Sequence, residues 1–594
     1  MKQTIFYLMA LLFLASCGQK KAGEEQTVKS VMSDLVTELY KTHTPDQLLK
    51  LNSEEILKFL SPEQKEVLAT KYWTFDVNVP VKVYVVRDVK QKTVPFWLKE
   101  KGFKKTDLTV KNAHYTYDVW EKDFPAGHVG LGINGLDDHR PTYFVSVSPQ
   151  KKGDDLKISN LQPEGYSIET TKVGSMVYHD WTELVLTEVP DELKGGKLLT
   201  TIRGRAGETG LIGGFRQTQY PSSEKPDQIL LTWANDPRTT QSVQWRTNTK
   251  VNKGVVRYWP KGGDKNKFKE VDAEVNVIED MLLANDRYIH HYTARIYGLE
   301  PSTAYNYIAG DPDKNIWSET CEFITAPDGS KPFSFGYFGD THKSPDFGNL
   351  INGAYKRFPE VSFYTIGGDL VSSGLNRDDW DKEFHYAEKV IRNRQLMTVP
   401  GNHDDANGLG PQMYVAMFDF PKNGPKGLPQ EYSYSFEYGD ALFLMMYGDR
   451  IEEQAPWLEH QLKTTDKKWK FVMFHFPPYS FDEDKYPDIV KTWGALFDKY
   501  HVDMVFNGHV HYYLRTKPIN NGKVVKDPSQ GTIYLVSIAI ANRGDRDLKE
   551  EPFGDVFVQG EMLFQKIDID GNKLTLTAFN EKGKVIDKFE IKKK

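Results

Sequence analysis

Two histidines one residue apart, His509 and His511, close the stretch Asn507-Gly508-His509-Val510-His511. They follow Val502-Asp503-Met504-Val505-Phe506, a short apolar run that reads as a buried strand. Imidazole is a common ligand for Zn, Fe and Cu, and the glycine lets backbone and ion approach closely. By itself, a histidine pair at a strand end is more often structural than ligating. Four other runs end the same way. Phe333 to Phe338 leads into Gly339-Asp340-Thr341-His342, and Phe363 to Ile366 into Gly367-Gly368-Asp369. Met397 to Pro400 leads into Gly401-Asn402-His403-Asp404, and Phe471 to Phe474 into His475. Ligands of open α/β sheets bind outside the carboxyl ends of the strands. Five runs that each deliver an oxygen or nitrogen donor there point to a metal site.

These donors need a sheet with helices to cover it. Apolar runs alternate with helical patterns at 377–392, 454–465 and 487–500, an α/β layout. The last runs, 563–569, 574–578 and 585–591, read as strands that finish the sheets. Upstream, 326–332 (Ala-Pro-Asp-Gly-Ser-Lys-Pro) is a turn-rich hinge. Before it, Ile229 to Trp233, Ser242 to Arg246 and Val255 to Tyr258 are strands at sandwich spacing. Leu299-Glu300-Pro301-Ser302-Thr303-Ala304-Tyr305 resembles a fibronectin type III signature, whose tyrosine sits at a corner and bonds the backbone.

From Trp73 to Tyr220 the pattern has period two, as in Val81-Lys82-Val83-Tyr84-Val85 and Tyr143 to Val147, and predicts an all-β domain. His128, Asp137, Asp138 and His139 match no ligand spacing and read as surface loop residues. Ser61-Pro62-Glu63-Gln64 opens a helix, with Ser as cap, Pro at the first position and Gln reaching back. The short helices around it read as packing or spacer elements.

The chain has 594 residues, too many for one ordinary domain, and a formal net charge of -6, which implies no general polyanion binding. No specific nucleic-acid contact is expected. Met1 to Ser16 carries Lys2 and then an apolar stretch, and reads as a signal peptide. Leu14-Ala15-Ser16-Cys17 resembles a bacterial lipobox, which implies cleavage and a lipid on Cys17. The expectation is a protein of the bacterial cell envelope, lipid-anchored on the periplasmic face or the cell surface. The only other cysteine is Cys321, so the mature chain has no intrachain disulfide framework.

In order, D-x-H, G-D, G-N-H-D, H and G-H-x-H resemble the calcineurin-like metallophosphoesterase superfamily, over about Phe333 to Thr516. The fibronectin-like segment in front, with Trp457-Leu458-Glu459 and His475-Phe476-Pro477-Pro478-Tyr479, narrows this to the purple acid phosphatase-like branch. The expected fold is an α/β catalytic domain, a two-sheet sandwich flanked by helices, preceded by two all-β domains. The expected division is 1–16 signal peptide, 17–72 tether and short helices, 73–224 β domain, 225–327 fibronectin-like domain and 331–594 catalytic domain.

The resemblance implies that Asp340, His342 and His511 hold one metal and Asn402, His475 and His509 a second, with Asp369 bridging. The pair would be drawn from Fe, Zn or Mn. It implies hydrolysis of phosphate esters by a metal-held hydroxide. Monoesters are the first expectation, diesters the second, and a non-catalytic surface-binding protein the third. His403 would stabilise the phosphoryl oxygen or protonate the leaving group, and Asp404 would orient it.

Two departures from the branch stand out. The tyrosine that follows its G-D motif is Ser372 here, and the first motif carries His342, which takes that tyrosine's place. The branch also has a substrate-facing histidine soon after the H-x-P-x-Y segment. Here 481–487 contains none, and Lys485 or Tyr486 is the candidate substitute.

Overall fold

The computed structural model describes residues 26–182, 184–482, 486–540 and 546–593. The signal peptide, Cys17 and Lys485 lie outside the described residues. The chain forms two compact units. The first runs to Gln217 and takes in Asp280–Arg287 and Asn407–Gly410; the second comprises the remainder.

In the first unit four helices, Val28–Thr42, Pro45–Leu48, Ser53–Lys58 and Pro62–Thr70, precede the strands. The last begins as its sequence dictates. Gln64 N donates to Ser61 Oγ at 3.2 Å, and Ser61 N donates to Gln64 Oε1 at 3.0 Å. These helices are packing elements: Val31, Leu35 and Leu39 share one core with Trp73, Phe75, Val83 and Val85. The strands form one three-stranded and one seven-stranded sheet. His139 Nε2 lies 3.0 Å from the buried Asp88, and exposed His128 lies 3.0 Å from Asp76. Neither histidine belongs to a metal-type cluster among the described residues.

The second unit opens with the fibronectin-like sandwich, a four-stranded sheet against a five-stranded one. Its tyrosine corner is formed: Glu300 N donates to Tyr305 OH at 3.0 Å. Next come two sheets of six and seven strands. Phe333–Phe338, Phe363–Ile366 and Gln395–Thr398 run parallel and adjacent in the first. Trp469–Met473 and Met504–Asn507 do so in the second. All five strands have almost every residue buried, which explains why they read as apolar runs without alternation. The sheets face each other across aromatic contacts, with Phe335 5.1 Å from Phe443 and 5.4 Å from Phe471. Leu563–Asp570, Lys573–Asn580 and Val585–Lys592 complete the six-stranded sheet, as expected. The helices Arg377–Ile391 and Ile451–Thr464 lie within a few residues of the expected spans, and the expected 487–500 helix carries a π-type turn at Val490–Gly494. The helix Pro345–Arg357 was not anticipated. No helix among the described residues is long and apolar enough to cross a membrane, and Cys321 is a buried free thiol.

Candidate metal centre

The loops that leave the carboxyl ends of those five strands bring the expected ligands together. Asp340, His342 and His511 form one cluster, and Asp369, His475 and His509 another, each with ligand atoms within 4.8 Å of one another. Asp369 also clusters with His342 and His403. Its Oδ2 lies 3.2 Å from His475 Nε2 and 3.8 Å from His342 Nε2, the place of a bridging carboxylate. Asn402 Oδ1 is 3.1 Å from both His475 Nε2 and His509 Nδ1. His511 Nε2 is 3.0 Å from Asp340 Oδ2 and 3.3 Å from His342 Nε2.

The loops are tightly built. His509 N donates to Asp340 Oδ1 at 2.7 Å, and His403 N donates to Asp369 Oδ1 at 2.9 Å. A Cβ on Gly508 would meet Asp340 Oδ1 at 2.2 Å, and one on Gly401 would meet Asp369 Oδ1 at 2.1 Å. The glycine before His509 therefore makes room for a ligand carboxylate. Asp369, His342, His509 and His511 have φ of 53°, 44°, 77° and 49°. Left-handed backbone at non-glycine residues costs of the order of 1–3 kcal/mol each and persists where surrounding structure imposes it. Here it turns each ligand back toward the cluster.

The donor set fits a pair of metal ions. Asp340 Oδ2 is buried and has no hydrogen-bond partner among the described residues, although it sits among imidazole nitrogens. His475 Nδ1 donates to the Gly367 carbonyl at 2.9 Å, and His342 Nδ1 to that of Val371 at 3.2 Å, leaving both Nε2 atoms to face the cluster. A spare N–H given to a carbonyl is the usual outer support of a ligating histidine. Burial opposes charge throughout the cluster, yet Asp369 is held well below the carboxylate range by His475 and His403. Burial likewise opposes a proton on His475, but Asp369 and Asp340 outweigh it and lift its pKa to about 9. The carboxylates thus hold a positive charge in this pocket, which bound cations would supply in its place.

His403 does not take the partner expected for it. Its Nδ1 donates to the Ser372 carbonyl at 2.8 Å. The Asp404 carboxylate is buried and accepts from Gly401 N at 2.8 Å and from Leu370 N and Val371 N at 3.2 Å. Asp404 therefore staples the G-D and G-N-H-D loops together and does not orient His403. Burial and the Asp369 charge push its pKa up to about 7. The residue that replaces the branch's tyrosine, Ser372, holds the catalytic candidate through its backbone.

Glu383 was missed. Its Oε1 accepts from Thr341 Oγ1 at 2.9 Å, beneath the Asp340–His342 loop, and burial pushes its pKa well above the carboxylate range. The signal was present, because Glu383 falls on the helix face that buries Trp380, Phe384 and Ala387.

Fold and site together are of the metallophosphoesterase type. Residues 226–325 match the family described as the purple acid phosphatase N-terminal domain, and 333–513 match the calcineurin-like phosphoesterases. Residues 226–513 thus carry the paired domains of the purple acid phosphatase-like branch of the calcineurin-like superfamily. Purple acid phosphatase 15 of Arabidopsis thaliana is 29% identical over 297 residues, 44% of this chain and 54% of that protein. The chain thus spans about half the length of that relative. The Fe(3+)-Zn(2+) purple acid phosphatase 12 of the same plant is 26% identical over 324 residues, 51% of this chain and 67% of that protein. The solved structure of purple acid phosphatase PPD1 from yellow lupin (Lupinus luteus) seeds shares the fold, with TM-score 0.53 and 16% identity over 89% of this chain and 91% of that one.

Proposed function

We propose that this protein is a dinuclear-metal phosphoesterase that hydrolyses phosphate monoesters. The observation that carries the proposal is Asp369 Oδ2, set between His475 and His342 so that one carboxylate serves both ligand clusters. When bound, the metal pair supplies Lewis-acid charge on the phosphoryl oxygens and lowers the pKa of water at the site. His342, Asp340 and His511 would hold one ion, and Asn402, His475 and His509 the other. Iron, zinc and manganese all suit this set of carboxylate, amide oxygen and imidazole. The name of the Fe(3+)-Zn(2+) relative supports an iron–zinc pair.

The chain's own part in the chemistry centres on His403. With Nδ1–H tied to the Ser372 carbonyl, Nε2 is the nitrogen left to give a proton to the departing oxygen or to bond the phosphoryl group. Serine at 372 means that no tyrosinate binds iron there, so the loaded protein would lack the purple colour. The Leu14 to Cys17 motif supports export and a lipid anchor on Cys17, placing the protein in the bacterial cell envelope.

Metal-loaded protein assayed on an aryl phosphate monoester and a bis-aryl diester tests the reading. Faster turnover of the monoester supports it, and preference for the diester would replace it with a phosphodiesterase. Two bound metals with no turnover of either ester would favour a surface-binding protein.

A further inference from the structure

We infer that Tyr486 is the positioning residue for His509, and through it sets the affinity of the site formed by Asn402, His475 and His509. The inference rests on the metal-centre reading above.

His509 Nδ1 faces Asn402 Oδ1 at 3.1 Å, on the ligand side, while Nε2 lies 2.9 Å from the Tyr486 hydroxyl. A metal on Nδ1 leaves the ring proton on Nε2, so that N–H donates to the phenol oxygen. His342 and His475 give their spare N–H to main-chain carbonyls, which survive any substitution at those positions. His509 gives its own to a side chain, so a single substitution can remove that bond. The ring is boxed by Phe476 and His475, with centroids at 5.0 and 5.1 Å. Phe476 also packs on Tyr486 at 5.0 Å, and it fits because residue 448 is glycine, where a Cβ would fall 2.6 Å from its ring. Packing thus holds the plane of the imidazole, and the hydroxyl at Nε2 favours the tautomer that leaves Nδ1 to the ligand side. Without it, the tautomer protonated on Nδ1, which cannot bind a metal through that nitrogen, becomes more accessible. Tyr486 lies in the segment where the branch has a substrate-facing histidine, and here its hydroxyl meets a ligand.

The test is Tyr486→Phe in the full chain, which keeps the ring and removes the hydroxyl, titrated with Co(II). The expected result is a 10–100-fold weaker Kd at one of the two sites, the range for loss of an outer partner, with the other site unchanged. In the Co(II) protein, the paramagnetically shifted, exchangeable Nε2–H signal of His509, assigned by its absence in His509→Gln, should exchange with solvent faster in the variant. Phe476→Leu, which loosens packing and spares the hydroxyl, should leave that exchange rate as it is. Unchanged isotherms and exchange in Tyr486→Phe would overturn the inference, as would equal weakening at both sites. So would full metal binding with a loss of kcat alone, the mark of a substrate-facing tyrosine. A wild-type protein that binds no Co(II) would instead defeat the metal-centre reading.

Discussion

Arg246 Nη1 lies 2.6 Å from Asp381 Oδ1, with both side chains buried, and this pair ties the fibronectin-like sandwich to the helix Arg377–Ile391. Arg246 also pairs with Asp227 at 2.7 Å, and Gln228 Nε2 donates to Asp381 Oδ1 at 3.1 Å. The same helix carries Glu383, beneath the Asp340–His342 loop. The sandwich therefore bears on the element that supports the first ligand loop.

Asp381→Ala removes one of the two carboxylates that hold the buried Arg246 guanidinium, and also the carboxylate beside the buried Arg377. Removing one partner of a buried pair costs about 3–5 kcal/mol. Denaturant unfolding of the second unit should show a loss of that size. A change below about 1 kcal/mol would mean the pair is not a structural tie.

Asp369→Asn removes the charge shared by both clusters. Metal occupancy and rate should fall together, by more than about a hundredfold, since loss of an outer partner alone costs 10–100-fold in affinity. Metal analysis of the purified variant beside its kcat checks this. Two metals retained with full activity would refute the ligand assignment.

His403→Ala should keep both metals, because the metal-facing positions are filled without it. It should lower kcat by about 10²–10⁴, the range for a positioned general acid or base. Alkyl phosphates, which need protonation of the leaving oxygen, should lose most, and a nitrophenyl ester least. Equal losses on both substrates would assign His403 to charge stabilisation of the phosphoryl oxygens.

His291 is fully buried in the fibronectin-like sheet, and burial pushes its pKa down to about 4, with Asp419 opposing and Arg246 adding to the shift. The ring is neutral in the folded chain and protonated in the unfolded chain below the usual value near 6.5. Its contribution to stability is therefore whole above about pH 6.5 and is lost as pH falls through about 4, amounting to about 3 kcal/mol. His291→Leu removes that titration, so the drop in Tm between pH 6.5 and 4 should be smaller than in wild type. Parallel Tm profiles would show that the ring does not titrate in this window.

Cys17→Ala should leave the protein unprocessed or release it from membranes, since the lipid on Cys17 is the anchor proposed. Fractionation of cells that express the variant tests it; unchanged processing and unchanged membrane association would end the lipoprotein reading.

The ligand set was legible because each member sits within a few residues of a strand end, and a buried strand announces itself locally as an apolar run. The Ser61 capping box and the Tyr305 corner were legible for the same reason, since each spans three to five residues. What each ligand's neighbours do was not legible. His403 finds its partner 31 residues away in a backbone carbonyl, which no sequence pattern marks, and Asp404, one position on, takes amides of the same distant loop. His342 and His511 meet across 169 residues, and both adopt left-handed backbone, which is uncommon at non-glycine residues. Residue types and strand spacing thus determined which atoms could bind metal. Only the packing of two sheets, which forces five loops into one space, decided which nitrogen of each ring faces inward and what holds it there.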